Sequence, residues 1–191
     1  MPLSNQKLII ITAPSGAGKT SITRFLLNKY PRLSFSISAA TRKPRAGEQD
    51  GVQYHFLSEE QFRAKIEAGE FVEWEMVYEG SYYGTLKSEL QRIWDAGKVP
   101  VLDIDVKGAI HIQQQFSGNS LSIFIEPPSV EELKKRLESR GTETAESMAT
   151  RLSKASYEMS FSHQFNKTII NRDLDLACLE TEKAIKEFLG W

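Results

Sequence analysis

The sequence predicts an α/β fold of three layers, with helices on both faces of a mostly parallel central sheet. Three observations carry this expectation. Short apolar runs, "KLIIIT", "VPVLDID" and "LSIFIE", have the length and composition of strands buried on both faces. Helical segments separate the runs, as crossovers between parallel strands require. A glycine-rich turn, "TAPSGAGKTS" at residues 12 to 21, hangs directly on the first run.

Taken in order, "KLIIIT" is a buried strand, and residues 20 to 29 form a helix that stops before Pro31, since the residue ahead of a proline disfavours helix. "LSFSIS" alternates and reads as a strand. Residues 39 to 53, "AATRKPRAGEQDGVQ", are polar, basic and broken by Pro44, Gly47 and Gly51, hence a loop. "SEEQFRAKIEAG" opens with a Ser58/Gln61 capping-box pair and closes on Gly69, a short helix. "EFVEWEMVYEGSYYG" alternates like a strand around a turn at Glu79-Gly80. "TLKSELQRIWDAGK" is helical, "VPVLDID" is the next buried-type strand, and the helix "KGAIHIQQQF" and strand "LSIFIE" follow. "PPSVEELKKRLESRG" starts a helix with Ser129 and Glu132 as a second capping box, and residues 144 to 161 continue helical. "KTIIN" is the last strand and residues 173 to 189 the last helix. Two alternating segments and a helix make residues 36 to 90 an inserted lobe. Phe62, Trp74 and Trp94 are expected in the core; His55, His111 and His163 have neither metal-ligand spacing nor an evident partner and receive no role.

At 191 residues the chain makes one large domain, or one domain with small inserted lobes. It is 40% hydrophobic and 26% charged, the profile of an ordinary soluble protein. A net charge of −1 gives no global footprint for nucleic acid or an anionic membrane. The one cysteine, Cys178, excludes an internal disulfide and fits a reducing cytosol; within "LACLETEKAIKEFL" it reads as a buried helical thiol rather than a nucleophile. "MPLSNQK" lacks the apolar core of a signal peptide, and no apolar run approaches membrane-spanning length. The expectation is a cytoplasmic protein without nucleic-acid or membrane partners, a monomer or homodimer.

Residues Ala13 to Thr20 fit the phosphate-binding P-loop pattern, with Ala13 in place of its first glycine. Gly16 and Gly18 let successive backbone N–H groups converge on phosphate oxygens, Lys19 supplies a point charge, and Thr20 offers a hydroxyl to Mg²⁺. The helix that starts there adds its positive dipole end. Ala13 requires a negative φ, which the end of a strand allows. The guanine-reading Asn-Lys-x-Asp segment of signalling GTPases is missing: "LNKYPR" and "FNKTII" are not followed by the acid. A second basic cluster lies in "SAATRKPRAGEQDGVQY", residues 38 to 54, where Arg42 and Arg45 straddle a proline with Tyr54 just beyond. Two guanidinium forks and a phenol make a second phosphate site; a solvated basic loop or a nucleic-acid patch is the alternative. In "LDID", Asp103 and Asp105 end a buried strand on one face, where ligands of open α/β sheets collect. There both acids can face a ligand, or simply cap the next helix. Arg136 and Arg140 lie four apart on one helical face, either as a salt-bridged surface with Glu132 or as a lid crested by "ESRGTETAES".

"SAATRKPRAGEQDGVQYHF", "GEFVEWEMVYEGSYYGT", "LDIDVKGA" and "EPPSVEELKKRLESRGTE" resemble the motifs of the guanylate kinase family, in the same order and over nearly the whole chain. The resemblance implies a P-loop nucleoside monophosphate kinase-like fold. It divides into a core of residues 1–35, 91–128 and 163–191, a GMP-binding lobe of 36–90 and a helical lid of 129–162. It implies transfer of the γ-phosphoryl of ATP to GMP with Mg²⁺. The ATP set it implies is Ala13, Pro14, Ser15, Gly16, Ala17, Gly18, Lys19, Thr20 and Ser21, joined by Arg136, Arg140 and Asn171. The acceptor phosphate falls to Arg42, Arg45, Tyr54 and Tyr83, and the guanine to Ser38, Glu73, Thr85 and Asp105, with Gly84 alongside. The residues expected to act in transfer are Lys19, Arg42, Asp103, Arg140 and Arg151, with Mg²⁺ on Thr20 and, through water, Asp103.

The chemistry is consistent with that assignment. Guanine presents N1–H and a 2-amino group side by side, and one carboxylate, Glu73, accepts both, while hydroxyls of Ser38 and Thr85 can donate to O6. Adenine has an acceptor at N1 and would leave a buried carboxylate unpaired. Taken alone, Glu73 reads as an ordinary outward charge on the strand "FVEWEMV". Another class of function is a non-catalytic guanylate-kinase-like module that binds phosphorylated peptides, against which intact Lys19 and Thr20 argue. A nucleic-acid binder using the 42–45 patch is weakened by the net charge.

Overall fold

Leu8–Thr12 is buried along its whole length, because both faces of this strand are covered by helices. A computed structural model describes residues 6–139 and 145–191 of the chain. The elements run β1 (Leu8–Thr12), α1 (Lys19–Lys29), β2 (Leu33–Phe35), β3 (Ala39–Ala40), β4 (His55–Phe56), α2 (Glu59–Glu67), β5 (Phe71–Tyr78) and β6 (Ser81–Leu86). They continue as α3 (Lys87–Asp95), β7 (Val99–Asp103), α4 (Val106–Gln115), β8 (Ser120–Glu126), α5 (Val130–Ser139), α6 (Ala145–Met159), β9 (Lys167–Ile170) and α7 (Leu174–Leu189).

Five strands form an all-parallel sheet in the order β2-β7-β1-β8-β9. The period of two along β1 sorts its side chains between two helical layers. Ile9 and Ile11 join Ile22 and Leu26 of α1 and Ala177 and Ile185 of α7. Leu8 and Ile10 join Leu90 of α3 and Ile112 of α4 on the opposite face. This is the three-layer α/β arrangement that the apolar runs predict. Cys178 is buried in α7, as its sequence context suggests. Among the described residues no helix is long and apolar enough to cross a membrane.

The chain between β2 and α3 builds a second sheet, ordered β4-β3-β6-β5, with β5 and β6 an antiparallel hairpin that turns at Glu79-Gly80. Helix α2 covers one face of it. Phe62 of α2 is fully buried there, stacked on Phe71 with ring centroids 4.3 Å apart and packed against Tyr82. The predicted Ser58/Gln61 capping box is formed in both directions. Glu89 on α3 ties the two sheets together: its carboxylate accepts the N–H of Ile37 at 3.0 Å and grips Arg92, at a position only 4% exposed.

Several expectations are corrected. Trp74 is 43% exposed instead of lying in the core, because α2 covers only part of its face of β5. Trp94 does pack against the core, at its half-buried edge, with its indole N–H donating to the carbonyl of Lys7. "LSFSIS" yields a strand of only three residues, and the expected loop begins with the short strand β3. Thr85 and Leu86 belong to β6, since pairing with Glu73 and Phe71 holds them extended and delays the helix to Lys87. At the Ser129 cap the hydroxyl accepts the N–H of Glu132 at 3.1 Å, while the Glu132 carboxylate turns to Arg136. His55 does have a neighbour, with Nε2 3.9 Å from the Glu89 carboxylate. Arg140 lies outside the described residues.

The cluster under α2 is small, so one deletion in it has a large effect. Phe62→Ala is expected to cost about 3–5 kcal/mol in urea unfolding, and Trp74→Ala under about 0.5 kcal/mol. Comparable losses in the two variants would contradict this account of the second sheet.

Candidate nucleotide-binding cleft

At the carboxyl edge of the parallel sheet the chain leaves β1 and turns through residues 13–18 into α1. Gly16 and Gly18 hold φ angles of 93° and 101°, which side chains with a Cβ rarely adopt. A Cβ on Gly18 would also collide with Nδ2 of Asn171. Among the described residues no non-glycine φ is positive, so Ala13 meets its backbone requirement. The loop is braced from behind: the amide of the buried Asn171 donates to the carbonyl of Ala17 at 2.7 Å. Lys19, the first residue of α1, pairs with the carboxylate of Asp103 at the end of the neighbouring strand β7.

Two residues on, Asp105 caps α4, its Oδ1 accepting the N–H of Gly108 at 2.9 Å. Facing it, β5 and β6 present Glu73 and Thr85, and the Thr85 hydroxyl donates to Glu73 Oε1 at 2.7 Å. Glu73 is only 6% exposed and has no cation on it among the described ion pairs. Burial pushes its carboxyl up to about 7, with the charges of Asp105 and Glu75 adding to the shift and the Thr85 hydrogen bond opposing it. Gly108 makes the space. A Cβ there would stand 2.8 Å from Glu73 Oε2.

On the other side of this sheet's cleft face, Tyr54 and Tyr83 meet edge to face with ring centroids 6.0 Å apart. Arg42 lies over the Tyr54 ring at 4.8 Å and is forked onto Glu48 through bonds of 2.6 and 2.8 Å. The hydrogen bond from Arg42 holds Glu48 down at about 2, helped by the N–H of Arg45. From the third wall, Arg151 of α6 donates to the Ser15 hydroxyl at 2.9 Å, and Arg136 of α5 donates to the carbonyl of Asn171 at 2.9 Å.

These walls enclose one cleft of about 690 Å³. It is lined by Ala13, Pro14, Ser15, Gly16, Gly18, Lys19, Thr20 and Ser21, and by Asp103, Asp105 and Arg151. Ser38, Arg45, Tyr54, Glu73, Tyr83 and Gly84 line its opposite side. Arg42 and Thr85 stand one contact behind the lining, on Tyr54 and Glu73; Ala17 sits between the lining glycines Gly16 and Gly18, Asn171 bonds it from behind, and Arg136 bonds Asn171 in turn. Sequence reasoning missed Glu75, Lys154 and Glu158, which line the cleft too. Period two from Glu73 points to Glu75, and helical spacing from Arg151 points to Lys154 and Glu158. Glu48 gave no signal, because its partnership with Arg42 depends on how the loop folds.

Residues 5–188 match the family model "Guanylate kinase". The guanylate kinase of Bacteroides thetaiotaomicron is 49% identical over 184 residues, covering 96% of this chain and 90% of that protein. The guanylate kinase of Salinibacter ruber is 46% identical over 188 residues, covering 98% and 100%. Among solved structures, guanylate kinase from Anaplasma phagocytophilum superposes with a TM-score of 0.75 at 27% identity, over 96% of this chain and 86% of the other. A match along almost the whole chain, joined to a P-loop facing a buried carboxylate across one cleft, places this chain in the guanylate kinase family.

Proposed function

We propose that the protein is an ATP:GMP phosphotransferase, moving the γ-phosphoryl of ATP to GMP to give ADP and GDP. The observation that carries the reading is the shared cleft: the P-loop forms one wall and Glu73, Tyr54, Tyr83 and Arg45 the other. In this reading residues 1–35, 91–128 and 163–191 are the core, 36–90 the acceptor lobe and 129–162 the lid, and the setting is the cytoplasm. The P-loop N–H groups and Lys19 grip the donor's outer phosphates; Arg151, already on Ser15, closes over them. Arg42, Arg45, Tyr54 and Tyr83 hold the acceptor phosphate. Two of Arg42's N–H groups belong to Glu48 and one donates to the Lys43 carbonyl, which fixes the direction of those left for phosphate. Ser38, Thr85, Glu73 and Asp105 read the guanine.

The acceptor phosphate is itself an anionic nucleophile, so the protein's work is positioning, charge neutralisation and exclusion of water. A hydroxyl and a carboxylate, Thr20 and Asp103, line the donor end of the cleft, an oxygen set that suits Mg²⁺. Thr20, and Asp103 through water, would hold the ion, which would supply positive charge to the donor phosphates. Lys19 and Thr20 disfavour a phosphopeptide-binding module, and the relatives matched are named as kinases.

A coupled assay with ATP, Mg²⁺ and each of four nucleoside monophosphates tests the activity: GMP is expected to be consumed fastest by orders of magnitude. Lys19→Ala is expected to lower kcat about 10²–10³-fold while GMP binding survives. No preference for GMP, or a normal rate in that variant, would overturn the reading.

Glu73→Gln separates base choice from phosphate choice. It should cost GMP about 1.5–3 kcal/mol in kcat/KM and spare AMP, whereas Arg45→Ala should weaken both substrates alike. Equal losses of both in Glu73→Gln would contradict the division. The same variant carries a stability signature. A folded value raised from 4.5 to about 7 means the fold holds this proton more tightly than the unfolded chain. The destabilisation is therefore absent below about pH 4.5, grows toward pH 7, and reaches roughly 3 kcal/mol above it. Melting of free Glu73→Gln is expected to exceed wild type at pH 8 and to match it near pH 4.5; the reverse order would show that the site favours the charged carboxylate.

A further inference from the structure

Glu75 lines the cleft, yet none of the assignments above gives it a task. It follows Glu73 by two residues on β5, so both carboxyls point from the same face. The strand register sets Glu73 against Thr85 and Glu75 against Tyr83. In the proposed acceptor site, guanine is read at the first level and the phosphate held at the second. Those levels are separated by two residues of extended chain, about 6.7 Å, a span that matches the sugar between a base and its 5′-phosphate.

Glu75 also stands within hydrogen-bonding reach of Asp105. Burial, the charge of Asp105 and this contact push the Glu75 carboxyl up to about 7, so the pair is short of donors, which its ionised form needs because carboxylates only accept. Lys107 and Lys154 are the nearest cations, and α6 contributes a further acid, Glu158. A vicinal diol provides two O–H donors on adjacent carbons. Carboxylates holding the hydroxyls of a ribose recur in nucleotide sites built on open α/β sheets.

Resting on the acceptor site proposed above, we infer that Glu75 is a specificity-determining residue that, beside Asp105, accepts the ribose hydroxyls of the acceptor and so selects ribonucleotide over deoxyribonucleotide. The test measures kcat/KM for GMP, 2′-deoxy-GMP, 3′-deoxy-GMP and AMP in wild type, Glu75→Ala and Glu75→Gln, with melting curves for each variant. Wild type is expected to prefer GMP over at least one deoxy analogue by about ten- to a hundredfold, the range for a hydrogen bond to a charged group. Glu75→Ala should bring that preference within about threefold and leave the GMP-to-AMP ratio unchanged. Glu75→Gln keeps an acceptor of the same reach and should fall between, which also serves if the alanine variant does not fold.

Equal losses for GMP and its deoxy analogues would overturn the proposal, assigning Glu75 instead to contact with Lys154 on α6. A changed GMP-to-AMP ratio would also overturn it, placing Glu75 behind Asp105 in reading the base. Wild type that turns over GMP without preferring it to either deoxy analogue defeats this inference alone. Wild type that does not turn over GMP defeats the acceptor reading and the inference with it.

Discussion

Glu73 is a carboxylate held at 6% exposure with a hydroxyl, but no cation, bonded to it among the described residues, and the acceptor side of the cleft is organised around that fact. Removing a carboxylate from water is costly unless donors replace the water. Thr85 supplies one. Gly108 lets the second oxygen stand against the first turn of α4, whose N–H groups carry the positive end of the helix dipole. Asp105 already accepts the N–H of Gly108, so that donor is taken and is not shared with Glu73. The fold therefore keeps an acceptor short of donors in the wall of a cleft, and in the proposed reading guanine carries the pair of donors that completes it. In that reading, selectivity for guanine and a stability penalty in the free protein are two consequences of this single shortfall.

The P-loop wall is held by a chain of contacts running in from α5 and α6. Arg136 on α5 bonds the carbonyl of Asn171, whose amide bonds Ala17 inside the P-loop. Arg151 on α6 reaches Ser15 at the loop's other end. Helix α6 thus reaches the phosphate-binding loop directly through a guanidinium, and α5 reaches it through Asn171. In the proposed reading, these contacts couple the position of α5 and α6 to the geometry of the donor site. On the acceptor side, Glu89 plays the corresponding part, fixing the start of α3 to the chain that enters the second sheet.

Much of this was legible in the sequence because it rests on local rules. Buried strands announced themselves as apolar runs, the P-loop by its glycines and Lys19, and α2 by its capping box. The β5 strand was harder to read. An alternating strand is expected to turn its apolar residues inward, and "FVEWEM" by that rule buries Trp74 and exposes Glu73. Here the relation is reversed: Trp74 is 43% exposed and Glu73 6%, because the polar face is the one closed over by α4. A single sequence does not state which face of a strand another layer will cover. Only the resemblance to a family assigned Glu73, and nothing pointed to Glu48, whose grip on Arg42 is set by a loop with no periodicity.

The central claim is that guanine binds the ionised form of Glu73, a group that burial keeps partly protonated near neutral pH. Calorimetry of GMP binding in two buffers of different ionisation enthalpy, for wild type and Glu73→Gln, tests it directly through the protons exchanged. Wild type is predicted to release more protons than the variant between about pH 6 and pH 7, with the difference fading toward pH 8 as the free carboxylate ionises. Taking the difference removes the contribution of the GMP phosphate, which both proteins bind alike. Equal proton release by the two proteins, or net uptake attributable to Glu73, would contradict the account.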